Sequence, residues 1–291
     1  MIATLWRAVV ASAVLMAAAN AEIIYTEKSL YRNISVFDEA GLRCMVFGRY
    51  SGGRQTCISL GNRDDLVLDY TKMMLGALYL DPRPQRLLVV GLGGGTLPRT
   101  LQRVLPTARI DIVEIDPAVV KVAMTYFDFA PAAQTRVIES DARVFVKRAL
   151  RDGTRYDLVM LDAFDHDYIP EHLLTREFLL ELRGVLSAQG VLAANTFSNS
   201  RLYLHESATY HDVFGDFYNL RRNNRVILLR RGGLPGADEL AANAQLVERQ
   251  LAPLGVTRQW LLPQFALDKP SADGVRVLTD QYSPSNLLNA K

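Results

Sequence analysis

Five short apolar runs alternating with helical segments, a glycine-rich turn after the first run and an acid at the end of the second predict an α/β chain with a Rossmann-like sheet. The runs are Leu87-Leu88-Val89-Val90, Ile110-Asp111-Ile112-Val113, Arg136-Val137-Ile138, Leu158-Val159-Met160-Leu161 and Val191-Leu192-Ala193-Ala194. Such alternation predicts a parallel sheet covered by helices on both faces. Ligands then sit beyond the carboxyl ends of the strands, so each strand's last residues and the loop that follows become site candidates.

Ahead of this unit the period changes. Asn33-Ile34-Ser35-Val36-Phe37 and Leu42-Arg43-Cys44-Met45-Val46-Phe47 alternate around Glu39-Ala40-Gly41, which predicts a β hairpin. From Asp64 to Tyr79 the positions Leu66, Tyr70, Met73, Met74 and Ala77 recur three and four apart, predicting one helix that Asp81-Pro82-Arg83-Pro84 ends. At the start, Arg7 precedes an uncharged stretch from Ala8 to Ala21, with Ala19-Asn20-Ala21 as a small-x-small cleavage site. Those 14 residues fall short of the roughly 20 that a spanning helix needs. The expected organisation is a signal peptide at 1–21, an N-terminal β-hairpin domain at 22–64 and a Rossmann-like domain at 65–291. Export to the periplasm, with no membrane span after cleavage, follows.

Removing Arg7 leaves 32 basic against 31 acidic residues, so bulk charge names no partner. Arg221, Arg222, Arg225, Arg230 and Arg231 surround Val226-Ile227-Leu228-Leu229, which reads as a buried strand with solvated ends and not as a nucleic-acid surface. Cys44 and Cys57 lie outside any C-x-x-C, and His166, His172, His205 and His211 form no close metal pair with a carboxylate, so no metal site is expected. In an oxidising compartment the two cysteines would pair as a disulfide; the alternative is two buried thiols.

The chemistry gathers at the strand ends. After the first strand, Gly91-Leu92-Gly93-Gly94-Gly95 lets a ligand approach the backbone. About twenty residues on, Glu114 stands where Rossmann-type sites place an acid that accepts ribose hydroxyls. Asp116, before Pro117, reads first as a helix cap. Asp141 follows the third strand, where a carboxylate can accept the exocyclic amine of an adenine, cap the next helix, or do both. The fourth strand runs into Asp162-Ala163-Phe164-Asp165-His166-Asp167, a crowd of acids that cations or donors must offset.

Gly91 to Thr96, Glu114, Asp141 and the Asp162-x-x-Asp165 pair together resemble the ordered motif set of spermidine synthases, the polyamine aminopropyltransferases. The spermidine synthase-like domains often fused to membrane transporters are more similar still, through Asp162-Ala163-Phe164-Asp165, Ile169-Pro170-x-His172-Leu173, Thr175-Arg176-Glu177-Phe178 and Asp280-x-Tyr282-x-Pro284. The resemblance implies a class I S-adenosylmethionine-dependent transferase fold and aminopropyl transfer from decarboxylated S-adenosylmethionine to a polyamine or other amine, without a metal. It places Gln55, Gly91, Gly93, Gly94, Gly95, Glu114 and Asp141 on the donor. Asp162 and Asp165 become the catalytic acids, while Tyr70, Tyr168 and Tyr282 join Asp165 around the amine. Homodimerisation is implied too.

In two places the chain departs from that pattern. Spermidine synthases carry an aspartate where Gly94 stands, and Tyr70-Thr71-Lys72 keeps only the tyrosine of the family's segment. A loop with amides and no charge would suit the carboxylate of intact S-adenosylmethionine, which makes methyl transfer the alternative. An exported nucleoside- or polyamine-binding protein without turnover is the third reading. A lid over His166 to Leu174 is expected from its place after the acidic loop.

Overall fold

The computed structural model describes residues 21–48, 53–163, 170–269 and 274–283. Residues 1–20, and with them nearly all of the expected signal peptide, lie outside the described residues, as do Asp165, His166 and Tyr168 and so the 166–169 part of the expected lid.

The N-terminal residues build more than the expected hairpin. β1 (Glu22–Lys28), β2 (Asn33–Glu39), β3 (Leu42–Phe47) and β4 (Arg54–Ser59) pair in that order as an antiparallel meander. The β2–β3 connection is the predicted one, with Ala40 and Gly41 both at positive φ, the backbone that a two-residue turn needs to match strand twist. Cys44 faces Cys57 across β3 and β4, and the two form a disulfide within a small apolar cluster that includes Phe37 and Val46.

Two short helices, α1 (Asp69–Met74) and α2 (Ala77–Leu80), replace the single helix expected over 64–79. The break falls at Gly76, where a Cβ would lie 2.8 Å from the Met73 carbonyl oxygen and 3.0 Å from Leu228 Cδ1. The chain turns there, and apolar residues on both sides of the break still reach the core.

β5 (Arg86–Val90), α3 (Thr96–Val104), β6 (Arg109–Glu114), α4 (Pro117–Tyr126), β7 (Thr135–Glu139), α5 (Ala142–Arg151), β8 (Tyr156–Leu161), α6 (Arg176–Val185) and β9 (Leu186–Phe197) then alternate as predicted. Their strands lie in the order β9-β8-β5-β6-β7, all parallel. Leu87, Val89, Ile110, Ile112, Leu158 and Met160 belong to one core cluster; Leu88, Val90, Val113, Val159 and Leu161 belong to another. Alternate residues of each strand thus feed opposite faces, which is why the runs are mostly apolar; the buried Asp111 of β6 is the exception, held by Arg136 and the Tyr156 hydroxyl.

The sheet is not parallel throughout. After α7 (Tyr203–Phe214), β10 (Phe217–Arg221) and β11 (Asn224–Arg230) form a tight hairpin, which can only be antiparallel. β11 adds to β9, and after α8 (Ala237–Leu251) and α9 (Arg258–Leu261) the short β12 (Ala266–Asp268) closes the edge on β10. One end of the Val226–Leu229 strand also departs from expectation. Arg225 is fully buried, stacked 3.8 Å over the Tyr203 ring, and it donates to Asn219 Oδ1 and Ser207 Oγ.

Candidate active site

The sheet order reverses between β5 and β8, and the crevice beyond strand ends at such a switch is where doubly wound folds bind ligands. A cavity of about 610 Å³ opens at this point. Glu114, Asp141 and Asp162 all line it, so three carboxylates far apart in the chain meet at one rim of the sheet.

Gly91 and Gly93, at positive φ, also line the cavity. A Cβ on Gly91 would stand 2.3 Å from the Asp162 carbonyl oxygen, so the turns after β5 and β8 touch through backbone alone. Gly94 and Gly95 do not reach the lining. A Cβ on Gly94 would meet Thr56 Cγ2 at 2.5 Å and one on Gly95 would meet Phe129 at 2.6 Å, so these two glycines pack the turn against β4 and the core behind it. Thr56 in turn lies 3.3 Å from Thr96 Oγ1 through its own hydroxyl.

Glu114, 8% exposed, ends β6 and accepts from the Leu92 and Asp116 amides at 2.9 and 3.0 Å. Its carboxylate ties the glycine turn to the turn after β6; burial pushes its pKa up against those donors. Asp116 caps α4 by accepting from the Ala118 amide and takes a second bond, 2.5 Å, from Ser29 Oγ of the β1–β2 turn. Asp141 caps α5 through Oδ1, 2.9 Å from the Val144 amide, while Oδ2 lies 2.9 Å from His172 Nε2.

Asp162 sits just past β8 and accepts from Asn195 Nδ2 at 2.9 Å, with Tyr70 bonded to the same carboxyl. Desolvation lifts its pKa from 3.8 to about 7, and the Asn195 and Tyr70 bonds hold it from rising further. The single Tyr70 proton is shared between Asp162 and the Gln55 carbonyl oxygen, 3.3 Å from the hydroxyl, and burial drives the Tyr70 pKa well up. Gln55 and Tyr70 both line the cavity. The β4 strand and α1 therefore complete the site from outside the parallel sheet.

Tyr282 is not brought there. Its ring lies under the Arg276 guanidinium at 3.5 Å and edge-on to His205, away from the cavity lining. Asp165 and Tyr168 lie outside the described residues. Lys72, at the departure from the family segment, is absent from the lining; its Nζ stands 5.7 Å over the Trp260 ring.

Several lining residues were not anticipated. Asn195 holds Asp162 and accepts from Asn224 Nδ2 at 3.1 Å. It lies near the carboxyl end of β9, where the strand-end rule that finds Asp162 finds it as well. His172 was visible as part of a motif, without a role. Asp69 lines the cavity beside Tyr70, paired with Arg222 at 2.7 Å; nothing local in the sequence marks that pair. Among the described residues no group of three or more His, Cys, Asp or Glu is placed to hold a metal ion, and no helix is long and apolar enough to cross a membrane.

This fold is that of the class I, Rossmann-like transferases, with an acid-lined cavity at the topological switch. The chain belongs to the spermine/spermidine synthase family: residues 66–222 match the spermine/spermidine synthase domain. A polyamine aminopropyltransferase from Vibrio vulnificus (strain CMCP6) is 45% identical over 272 residues, which span 91% of each chain. Among solved structures, a probable spermidine synthase from Corynebacterium glutamicum ATCC 13032 superposes with a TM-score of 0.67 at 19% identity, covering 88% of this chain and 96% of its own, a likeness of fold. Human methyltransferase-like protein 13, in complex with SAH, superposes with a TM-score of 0.58 at 28% identity, covering 64% of this chain and 93% of its own.

Proposed function

We propose that the protein transfers an aminopropyl group from decarboxylated S-adenosylmethionine to a polyamine amine, with Asp162 as the proton acceptor. The observation that carries this reading is the Asp162 carboxyl, held by Asn195 and Tyr70 in the same cavity as Glu114 and Asp141, with a pKa of about 7. An aliphatic amine with a solution pKa near ~10 reaches the site protonated and must lose a proton to attack. A carboxyl raised from 3.8 to about 7 halves the gap to such an amine, which makes it a better proton acceptor than an ordinary carboxylate. The acids of the lining favour a cationic amine, Glu114 and Asp141 would hold the nucleoside, and the rigid strand ends position both reactants. The bound donor supplies an electrophilic carbon on a sulfonium; all else falls to these side chains.

Methyl transfer is the second reading, favoured by one observation. Gly94 leaves no acid for the donor's amino tail, and Thr56 occupies the space that a side chain there would enter. Calorimetric titration with decarboxylated and intact donor in parallel, followed by product analysis over a panel of amines, separates the readings. Tighter binding of the decarboxylated form with aminopropyl product is expected. Preference for the intact form with methylated product overturns aminopropyl transfer, and binding without any product marks a receptor.

We also propose export to the periplasm. The Arg7 to Ala21 pattern supports it, as does the Cys44–Cys57 disulfide, a bond that persists in oxidising compartments. Amino-terminal sequencing of the periplasmic fraction is expected to begin at Glu22; full-length protein retained in the cytoplasm overturns it. A homodimer, the family expectation, is tested by sedimentation equilibrium, where a monomer at micromolar concentration would exclude it.

A further inference from the structure

Asp280 and Thr175, in two motifs to which the proposed reaction gives no role, meet at one place. Arg143, in the first turn of α5, donates to Asp280 through Nη1 and Nη2 at 2.7 and 2.8 Å, and to Glu181 of α6 through Nε and Nη2 at 2.9 Å each. Thr175 Oγ1 donates to Asp280 Oδ1 at 2.7 Å, and the Asp280 amide donates to Glu177. The Arg176 amide bonds the Leu278 carbonyl, and the Leu278 amide bonds Thr209 Oγ1. Residues 274–283 are thereby strapped across α5, α6 and α7.

The strap backs a wall of the cavity. Arg143 Nη1 reaches the His172 carbonyl oxygen at 3.5 Å, and Ser283 Oγ reaches that of Glu171 at 3.4 Å. Pro170, His172 and Leu173 line the cavity beside Asp141 and Ala142. His172 Nε2 holds Asp141 Oδ2, whose other oxygen is already committed to the helix cap. The orientation of the Asp141 carboxylate toward the cavity is therefore set from two sides, by the α5 amide and by an imidazole that the strap keeps in place.

We propose that His172 is a positioning residue for nucleoside-base recognition, aiming the Asp141 carboxylate, and that the Asp280–Arg143 clamp holds His172 there. The proposal rests on Asp141 reading the exocyclic amine of an adenine in the aminopropyltransferase site. A carboxylate that only accepts distinguishes a 6-amino base from a 6-oxo base, and a wandering one does so less well.

The test is calorimetric binding of 5′-methylthioadenosine and 5′-methylthioinosine to the full chain and to three variants. Wild type is expected to prefer the adenine compound. His172→Ala is expected to narrow that preference by about tenfold, a loss that one hydrogen bond of the charged type would produce. His172→Gln, whose amide can still donate to Asp141, restores most of it. Asp280→Asn, which weakens the clamp without touching the cavity, narrows it in the same direction. An unchanged preference in His172→Ala overturns the proposal while the proposed reaction stands. An unchanged preference in Asp280→Asn, with His172→Ala narrowed, removes the strap from it. Wild type that binds neither compound overturns the nucleoside site and the proposal together.

Discussion

Replacing Asp162 with asparagine changes charge with almost no change in shape, and the neighbours can accommodate it. Asn195 Nδ2 still finds an oxygen at 2.9 Å, and the Tyr70 hydroxyl has the Gln55 carbonyl at 3.3 Å as its acceptor. Desolvation has moved the carboxyl from 3.8 to about 7. At ~1.36 kcal/mol per unit this is a penalty on the charged form on the order of 4 kcal/mol, an upper value because the group borders the cavity. The sign follows from the folded pKa lying above the unfolded one. The stabilising contribution is complete below the unfolded value near 3.8 and is lost as pH rises to about 7, above which the fold carries a desolvated carboxylate. The asparagine variant is therefore expected to match wild type near pH 4 and to melt several degrees higher at pH 8. Transfer to the amine should fall by roughly 10² to 10⁴-fold, the usual worth of a general base, with nucleoside affinity retained. Calorimetric melting, nucleoside titration and single-turnover transfer measure the three quantities. Turnover within threefold of wild type at pH 8 refutes the role of Asp162, and equal melting at pH 8 refutes the burial penalty.

Asn195→Ala removes a donor that lowers the Asp162 pKa, so the rising limb of the pH–rate profile near 7 should move up by on the order of one unit; an unmoved limb separates Asn195 from the mechanism. Gly91→Ala forces a Cβ to 2.3 Å from the Asp162 carbonyl oxygen at a φ of 90°, and a loss of about 3 kcal/mol or more is expected in urea unfolding. A midpoint within error of wild type would show that the two turns separate freely. Serine at both Cys44 and Cys57 opens a short cross-strand link, with an expected loss of about 3 kcal/mol. Reductant should bring wild type down to the same midpoint and leave the double variant unmoved; a wild type indifferent to reductant has no such bond to lose.

The sites most legible in the sequence were those that repeat a local rule. Glu114, Asp141 and Asp162 each end a strand or begin the turn after it, and strand ends follow from apolar runs that are read without neighbours. The caps at Asp116 and Asp141 were legible for the same reason. The resemblance places Gly94 and Gly95 on the donor; Thr56 and Phe129, from distant segments, supply the separate reason that neither position has room for a side chain. Tyr282 belonged to a motif whose service is to the strap, and its stacking on Arg276 depends on how residues 274–283 dock.

By itself the sequence determined the alternation of strands and helices from β5 to β9, the apolar faces that cover that part of the sheet and the acids at its rim, because periodicity and turn chemistry act over a few residues. Only the tertiary structure decided that Asn195 and Tyr70 hold Asp162, that the C-terminal edge of the sheet is antiparallel, that Arg225 is buried and that Asp280 reaches Arg143. Those outcomes rest on desolvation and hydrogen bonding between groups up to 137 residues apart in the chain. Such terms exist only once packing has excluded water from the space between them.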